Sequence, residues 1–221
     1  DTSGSTPVSS DGDPVPLMKD KSGNGLDVFQ SSSSVRFTYH TDGNVSWIES
    51  DGFSWLESNS IQGIPDNTTG FGVAVSISRD DDNPMTIAQY QTGFNGRVFA
   101  VWTSANSAPQ DAYGFGVHTL DNWKESRTIR APSPIGPQVF LGDWRGANTK
   151  ARGAVQSGPL GIADESVPSL GSETVKLEVG SRKSGSNTQK GKFFGIVLLS
   201  RAFTVDEREK LTSFMSKLFT Q

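Results

Sequence analysis

Cysteine is missing from all 221 positions. That excludes a disulfide scaffold, thiolate metal sites and a cysteine nucleophile, so stability must come from a packed core or from assembly. An excess of charge of one sign is missing too. Twenty basic residues stand against 24 acidic ones, a net charge of −4, which leaves no electrostatic footprint for nucleic acid or an anionic bilayer. Long apolar runs are also absent. The longest, Phe193 to Leu199, is far short of the roughly 20 residues that a membrane-spanning helix needs, and no charged-then-apolar leader opens the chain. Neither nucleic-acid binding nor membrane insertion is expected. The chain begins at Asp1 without Met, which reads as processing or as a segment cut from a longer polypeptide.

What is abundant is turn chemistry, with 24 Gly and 11 Pro among short apolar stretches. Residues 1–16, rich in Ser, Thr, Gly, Pro and Asp, bury too little to order independently and read as an extended lead-in to a single domain over 17–221. Phe71, Val73, Val75 and Ile77 then alternate with Gly72, Ala74, Ser76 and Ser78, the period of two expected of a strand. Tyr113/Phe115/Val117 and Val175/Leu177/Val179 repeat that phase, while Val98 to Trp102 and Phe193 to Leu199 are apolar on both faces and read as central strands. Turns are expected at Asp42-Gly43-Asn44, Asp80 to Pro84, Asn95-Gly96 and Ser184-Gly185. One helix is signalled. Thr204-Val205-Asp206-Glu207 is a capping box, and Leu211, Phe214, Met215 and Leu218 follow at helical spacing as a stripe that must pack on a sheet. The fold class expected is therefore all-β, a sandwich of two antiparallel sheets with a short C-terminal α-helix.

Asp20-Lys21-Ser22-Gly23-Asn24-Gly25, followed by Gln30, resembles the D-x-SGNG…Q opening of concanavalin A-like, laminin-G-like lectin domains of bacterial and phage proteins. Upstream, Gly4 to Val8 and Asp11 to Val15 are similar to the lead-in found before that motif in phage and prophage tail proteins. Downstream, Leu177 to Arg182 and Phe194 to Thr204 resemble the ending L-x-I-G-x-R…F-x-G-x-I-x-x-L-x-x-x-R-A-L-T of the same family. The middle, about residues 60 to 170, matches only in strand rhythm. The resemblance implies a concanavalin A-like jelly-roll sandwich in a tail fibre, tailspike or related virion protein, hence a virion or extracellular location. The partners it implies are a host-surface glycan, other virion protein segments and a homotrimer formed through the parent chain. It does not by itself imply an activity, since this architecture hosts glucanases, lectins and structural spacers alike.

Catalysis finds little support in the residues. Glu49-Ser50-Asp51 begins the one-strand carboxylate spacing of the glucanases, but Phe53 and Ser54 stand where the third carboxylate belongs, so no enzyme is expected. His40 and His118 have no second His at zinc-binding spacing, and no G-x-S-x-G elbow occurs. Asp80, Asp82 and Asn83 are the candidates for a calcium loop, but a dedicated loop alternates its ligands and closes with Glu. A metal-free acidic turn is therefore expected there, with no cofactor. For sugar binding, aromatic faces must stand beside hydrogen-bonding groups. Of five Trp, Trp47, Trp55 and Trp102 read as core, whereas Trp123 after Asn122 and Trp144 between Asp143 and Arg145 read as exposed. Trp123, Trp144, Asp143, Arg145 and Asn122 are thus the ligand-binding candidates of a non-catalytic glycan-binding module. A depolymerase or glucanase and a ligand-free spacer are its rivals.

Overall fold

A computed structural model describes residues 6–59, 69–80, 85–92, 96–104, 112–118, 123–126, 136–156, 158, 160–167, 175–180 and 190–220. In chain order the strands are β1 (Pro14–Val15), β2 (Leu17–Met18), β3 (Val28–Phe29), β4 (Phe37–Thr41), β5 (Ser46–Ser50), β6 (Trp55–Ser58), β7 (Phe71–Arg79) and β8 (Met85–Thr92). There follow β9 (Gly96–Ser104), β10 (Ala112–His118), β11 (Trp123–Ser126), β12 (Gly136–Trp144), β13 (Thr149–Val155), β14 (Gly161–Val167), β15 (Lys176–Gly180) and β16 (Gly191–Leu199). They form two eight-stranded sheets, ordered β1-β4-β5-β16-β7-β12-β13-β14 and β11-β10-β9-β8-β15-β6-β3-β2. Neighbours are antiparallel in both, as β7 with β12 and β8 with β9 illustrate. The chain is an all-β sandwich closed by a single α-helix among the described residues, α1 (Val205–Ser216).

Period two places the core. Phe71, Val73, Val75 and Ile77 point between the sheets, into one cluster with Leu56, Phe99, Val101 and Phe115. Phe71 and Phe99 meet at 4.6 Å, and Tyr90 sets its ring edge-on to Phe99 at the same spacing. The other face of β7 is buried too, because α1 lies over it. Ala74, Val139 and Leu141 pack there with Phe203 and Met215, and Gly72 is small enough that a Cβ would come 2.8 Å from the Phe203 ring. Burying Met215 on that face contributes about 1.5–3 kcal/mol.

Both halves of the capping box form: Thr204 accepts from the Glu207 backbone, and the Glu207 carboxylate accepts from the Thr204 backbone at 2.9 Å. The expected stripe needs one correction. Leu211, Met215 and Leu218 face the sheet, but Phe214 is 57% exposed. The helix is turned so that Arg208 also points inward to the sheet, which carries Phe214 off the edge of the apolar face.

Two further elements gain detail. β16 lies inside the first sheet between β5 and β7, as its apolar faces predict, but among the described residues β5 pairs with Gly191 to Phe193 alone, while β7 continues to Leu199. Its apolar outer face is explained by the cover of α1 and the following turn, where Val197 and Leu199 join Met215 and Leu218. The end of the extended lead-in lies on the first sheet. Pro14–Val15 pairs with Phe37 and Thr38, burying Val15, while Gly12 donates to the Tyr39 carbonyl at 2.9 Å.

Local turn chemistry is as the residues require. Asp42 accepts from the backbone of Asn44 and Val45 at 2.9 and 2.8 Å, with Gly43 at φ +91°. In the Asp20 to Gly25 loop the Asp20 carboxylate accepts from Ser22 and from the backbone of Leu26, while Gly23 and Gly25 take φ of +83° and +75°. These donors, the Ser22 hydroxyl first, hold the Asp20 carboxyl down at about 2. The turn positions Asp81 to Pro84, Asn95 and Ser184-Gly185 lie outside the described residues, and with them the calcium candidates Asp82 and Asn83. Asp80 is described, its backbone N–H donating to the Lys190 carbonyl at 3.3 Å.

Candidate functional site

The five expected ligand-binding residues do not form a surface platform. Trp144 is 0% exposed, packed on Phe71 at 6.1 Å between rings, with its indole N–H donating to the Thr149 carbonyl at 3.3 Å. Asp143 is equally buried and accepts from two guanidinium groups, those of Arg152 and Arg208. Arg145 is exposed at the end of β12. Trp123 begins β11 opposite His118, its side chain outside the described residues, as Asn122 is altogether. The exposure expected of Trp144 is therefore corrected, for a reason that strand phase contains. Trp144 shares parity with Phe140, which faces the core, while Asp143 shares parity with Val139 and Leu141, which face the helix.

The other Trp positions also separate. Trp47 and Trp55 are half-buried rather than core, and the side chain of Trp102 lies outside the described residues. On β5, Ile48 is the residue that packs with the inner cluster, so Trp47 and Glu49, in the opposite phase, stand on the outer face. Their cross-strand neighbours build a tract. His40 of β4 lies opposite Trp47, Thr38 of β4 and Lys192 of β16 lie opposite Glu49, and Phe194 follows on β16.

Rings run continuously across this face. His40 stacks on Trp47 at 5.6 Å, Trp47 meets Phe194 at 6.4 Å, and Phe194 meets Phe219 beyond the helix at 5.7 Å. Polar groups border them. The Trp47 indole donates to Glu49 at 3.2 Å, Lys192 Nζ lies 5.1 Å from the Trp47 ring centre, and His40 Nδ1 donates to Asp11 at 3.0 Å. The Asp11 carboxyl is lowered first by the backbone N–H of Thr41 and then by His40, so it stays ionised beside the ring. The tract sets partly buried aromatic surface beside two carboxylates and an ammonium, the pairing of apolar and hydrogen-bonding groups that sugar recognition uses.

The paired carboxylates read from the sequence have separate tasks. Glu49 accepts from Trp47, whereas Asp51 lies past the strand end and accepts from Phe53 N–H at 2.9 Å and from the Ser54 hydroxyl at 3.0 Å, as a turn residue does. The tract itself was readable from one signal. In Ser46-Trp47-Ile48-Glu49 the aromatic residue alternates with the core aliphatic and falls in phase with the acid.

No protein-family model matches the chain, and no curated protein matches it. Solved structures do match in fold. An arabinofuranosidase complexed with arabinofuranosyl-α-1,2-xylobiose superposes with a TM-score of 0.68 at 15% identity, over 93% of this chain and 51% of that one. The binding domain of Paraclostridial Mosquitocidal Protein 1 gives 0.62 at 11% identity, over 92% and 51%. Domain 4 of an extracellular arabinanase from Geobacillus stearothermophilus, in complex with arabinotriose, gives 0.56 at 12% identity over 80% and 81%. The chain thus spans about half the length of the first two. The shared feature is the β-sandwich.

Proposed function

We propose that this chain is a non-catalytic glycan-binding module, carried by a phage or prophage virion protein and turned toward the host surface. The observation that carries the reading is the His40–Trp47–Phe194 tract with Glu49, Lys192 and Asp11 beside it, since stacking surface and directional hydrogen-bonding groups are what sugar recognition requires. The virion setting rests on the Asp20 to Gly25 motif, its lead-in and the Leu177 to Thr204 ending. A sandwich of this fold holds arabinotriose in the arabinanase domain, so the architecture is compatible with an oligosaccharide ligand. In the site proposed here Trp47 and Phe194 pack against the sugar ring, Glu49 accepts from hydroxyls and Lys192 donates to them.

The test is a glycan array and a host-polysaccharide binding assay on the whole chain, run beside a reducing-sugar release assay. Binding without sugar release is expected, with Trp47→Ala weakening it at least tenfold at an unchanged fold by circular dichroism. Equal binding by Trp47→Ala would remove the tract from the site. Sugar release that disappears in Glu49→Gln would replace this reading with that of a depolymerase.

A further inference from the structure

Among the described residues, one strand inside the first sheet has an open edge. Gly191, Lys192 and Phe193 of β16 pair with Ser50, Glu49 and Ile48 of β5, a bulge follows, and from there β5 stays with β4 and leaves β16. On the other side β7 accompanies β16 to the end, with Leu199 opposite Gly72. Among the described residues, the backbone of Gly195 to Leu199 therefore has a strand on one side only.

A cleft of about 650 Å³ lies along that free edge. Gly195, Ile196, Val197, Leu198, Leu199 and Ser200 all border it. Successive residues of a strand point to opposite faces, so a cavity that touches six in a row must run along the strand's edge. Leu26, Val28, Tyr90, Leu177 and Val179 give the cleft an apolar wall, while Lys19, Asp20, Lys21, Ser22 and Asn24 also line it. The strand itself carries none of the usual guards. Exposed strand edges are ordinarily blunted by Lys, Pro, inward charges or a covering element, and Gly195-Ile196-Val197-Leu198-Leu199 contains no charged residue and no Pro.

We propose that this lane receives one extended segment of another polypeptide by strand addition. The backbone of that segment would continue the first sheet beyond β5, and its alternate apolar side chains would enter the cleft between the sheets. Five residues of edge give a ladder of roughly 16 Å at about 3.3 Å per residue. The recognition chemistry is main-chain donors and acceptors at ladder spacing beside an apolar slot, which fits a peptide strand. The lane adjoins the aromatic tract, since a smaller cavity lined by Trp47 and Phe194 shares Met18, Val179, Gly195 and Ile196 with the cleft, but the β16 amides report strand addition separately from glycan binding.

The experiment pans a displayed library of random heptapeptides on the whole chain. Hydrogen exchange of the β16 amides is then followed by NMR with the selected synthetic peptides. Enriched sequences are expected to alternate apolar and polar residues. Binding should slow exchange at alternate amides between Gly195 and Leu199 by tenfold or more, and methylating one paired peptide nitrogen should weaken binding at least tenfold. The proposal is overturned if those amides are already protected in dilute protein without peptide, or if no selected peptide changes them. Protection that grows with protein concentration alone would assign the lane to a second copy. Protection produced by an oligosaccharide would assign it to a sugar, and either result ends the proposal.

Discussion

Arg208 of α1 donates to the carboxylate of Asp143 on β12, so the closing helix is tied to the first sheet by an ion pair under it as well as by Met215. The same carboxylate accepts from Arg152 Nε of β13 at 2.7 Å. One buried negative charge is thus shared by two guanidinium groups that are 14% and 16% exposed. Truncating Arg208 to Ala leaves one carboxylate oxygen without its donor and should cost about 1–3 kcal/mol. Removing Arg152 as well strands the charge, and the double variant should lose about 3–5 kcal/mol. Urea denaturation of both variants checks this. A loss under about 0.5 kcal/mol for Arg208→Ala would mean that the pair does not anchor the helix.

Trp144→Ala should destabilise the fold by about 3–5 kcal/mol, the usual result of emptying a buried aromatic site. The ring packs on Phe71 and its N–H is satisfied by the Thr149 carbonyl, so both its apolar and its polar parts serve the core. Glycan binding by the folded fraction should be unaltered. A variant of normal melting temperature with weakened binding would return Trp144 to the ligand site.

Gly70 enters β7 with φ +68°, and a Cβ there would run into the Trp144 carbonyl and the backbone of Arg145. Backbone atoms cannot swing aside as a side-chain tip can. Gly70→Ala therefore combines a strained left-handed conformation with a rigid clash, and a cost above about 4 kcal/mol is expected. The control is Gly43→Ala in the β4–β5 turn. That position has φ +91° but nothing within 4 Å, so it separates strain from collision. Similar melting temperatures for the two variants would show that the collision contributes nothing.

The sheets were legible because period two survives in single strands, as in Phe71 to Ile77, and the helix start because the Thr204 and Glu207 side chains act within one turn. The candidate site was less so. Trp47 sits among apolar residues and resembles a core residue until its phase against Ile48 is read, and its neighbours His40 and Lys192 arrive only through strand pairing. Asp143 was misread for the same kind of reason. Flanking Gly and Arg suggest an exposed loop, while the partners that bury it, Arg152 and Arg208, stand 9 and 65 residues away. The apolar stretch ending β16 announced burial on two faces but could not say that, among the described residues, one edge of the strand has no strand beside it.

Acid should loosen the protein in a defined window. Arg201 beside Glu207, with help from the backbone N–H of Thr204, holds the Glu207 carboxyl at about 2 against an ordinary value of 4.5. Asp20 is likewise held at about 2 against 3.8, by Ser22 first and then by the Leu26 backbone. A carboxyl whose folded value lies below its unfolded value binds fewer protons in the folded state, so stability is present above the unfolded value and is lost as pH falls. The melting temperature should hold between about pH 7 and about pH 5, then decline from about 4.5 toward about 2. Glu207→Gln removes the first titrating partner and should flatten the upper part of that decline, and Asp20→Asn the part below about 3.8. Differential scanning calorimetry across the range measures both. Because the Arg201–Glu207 pair is partly exposed, added salt should shrink its share, whereas the Asp20 share, which comes from neutral donors within one loop, should persist. A decline that keeps its shape in both variants would assign the acid sensitivity to other carboxylates and remove these two from the account.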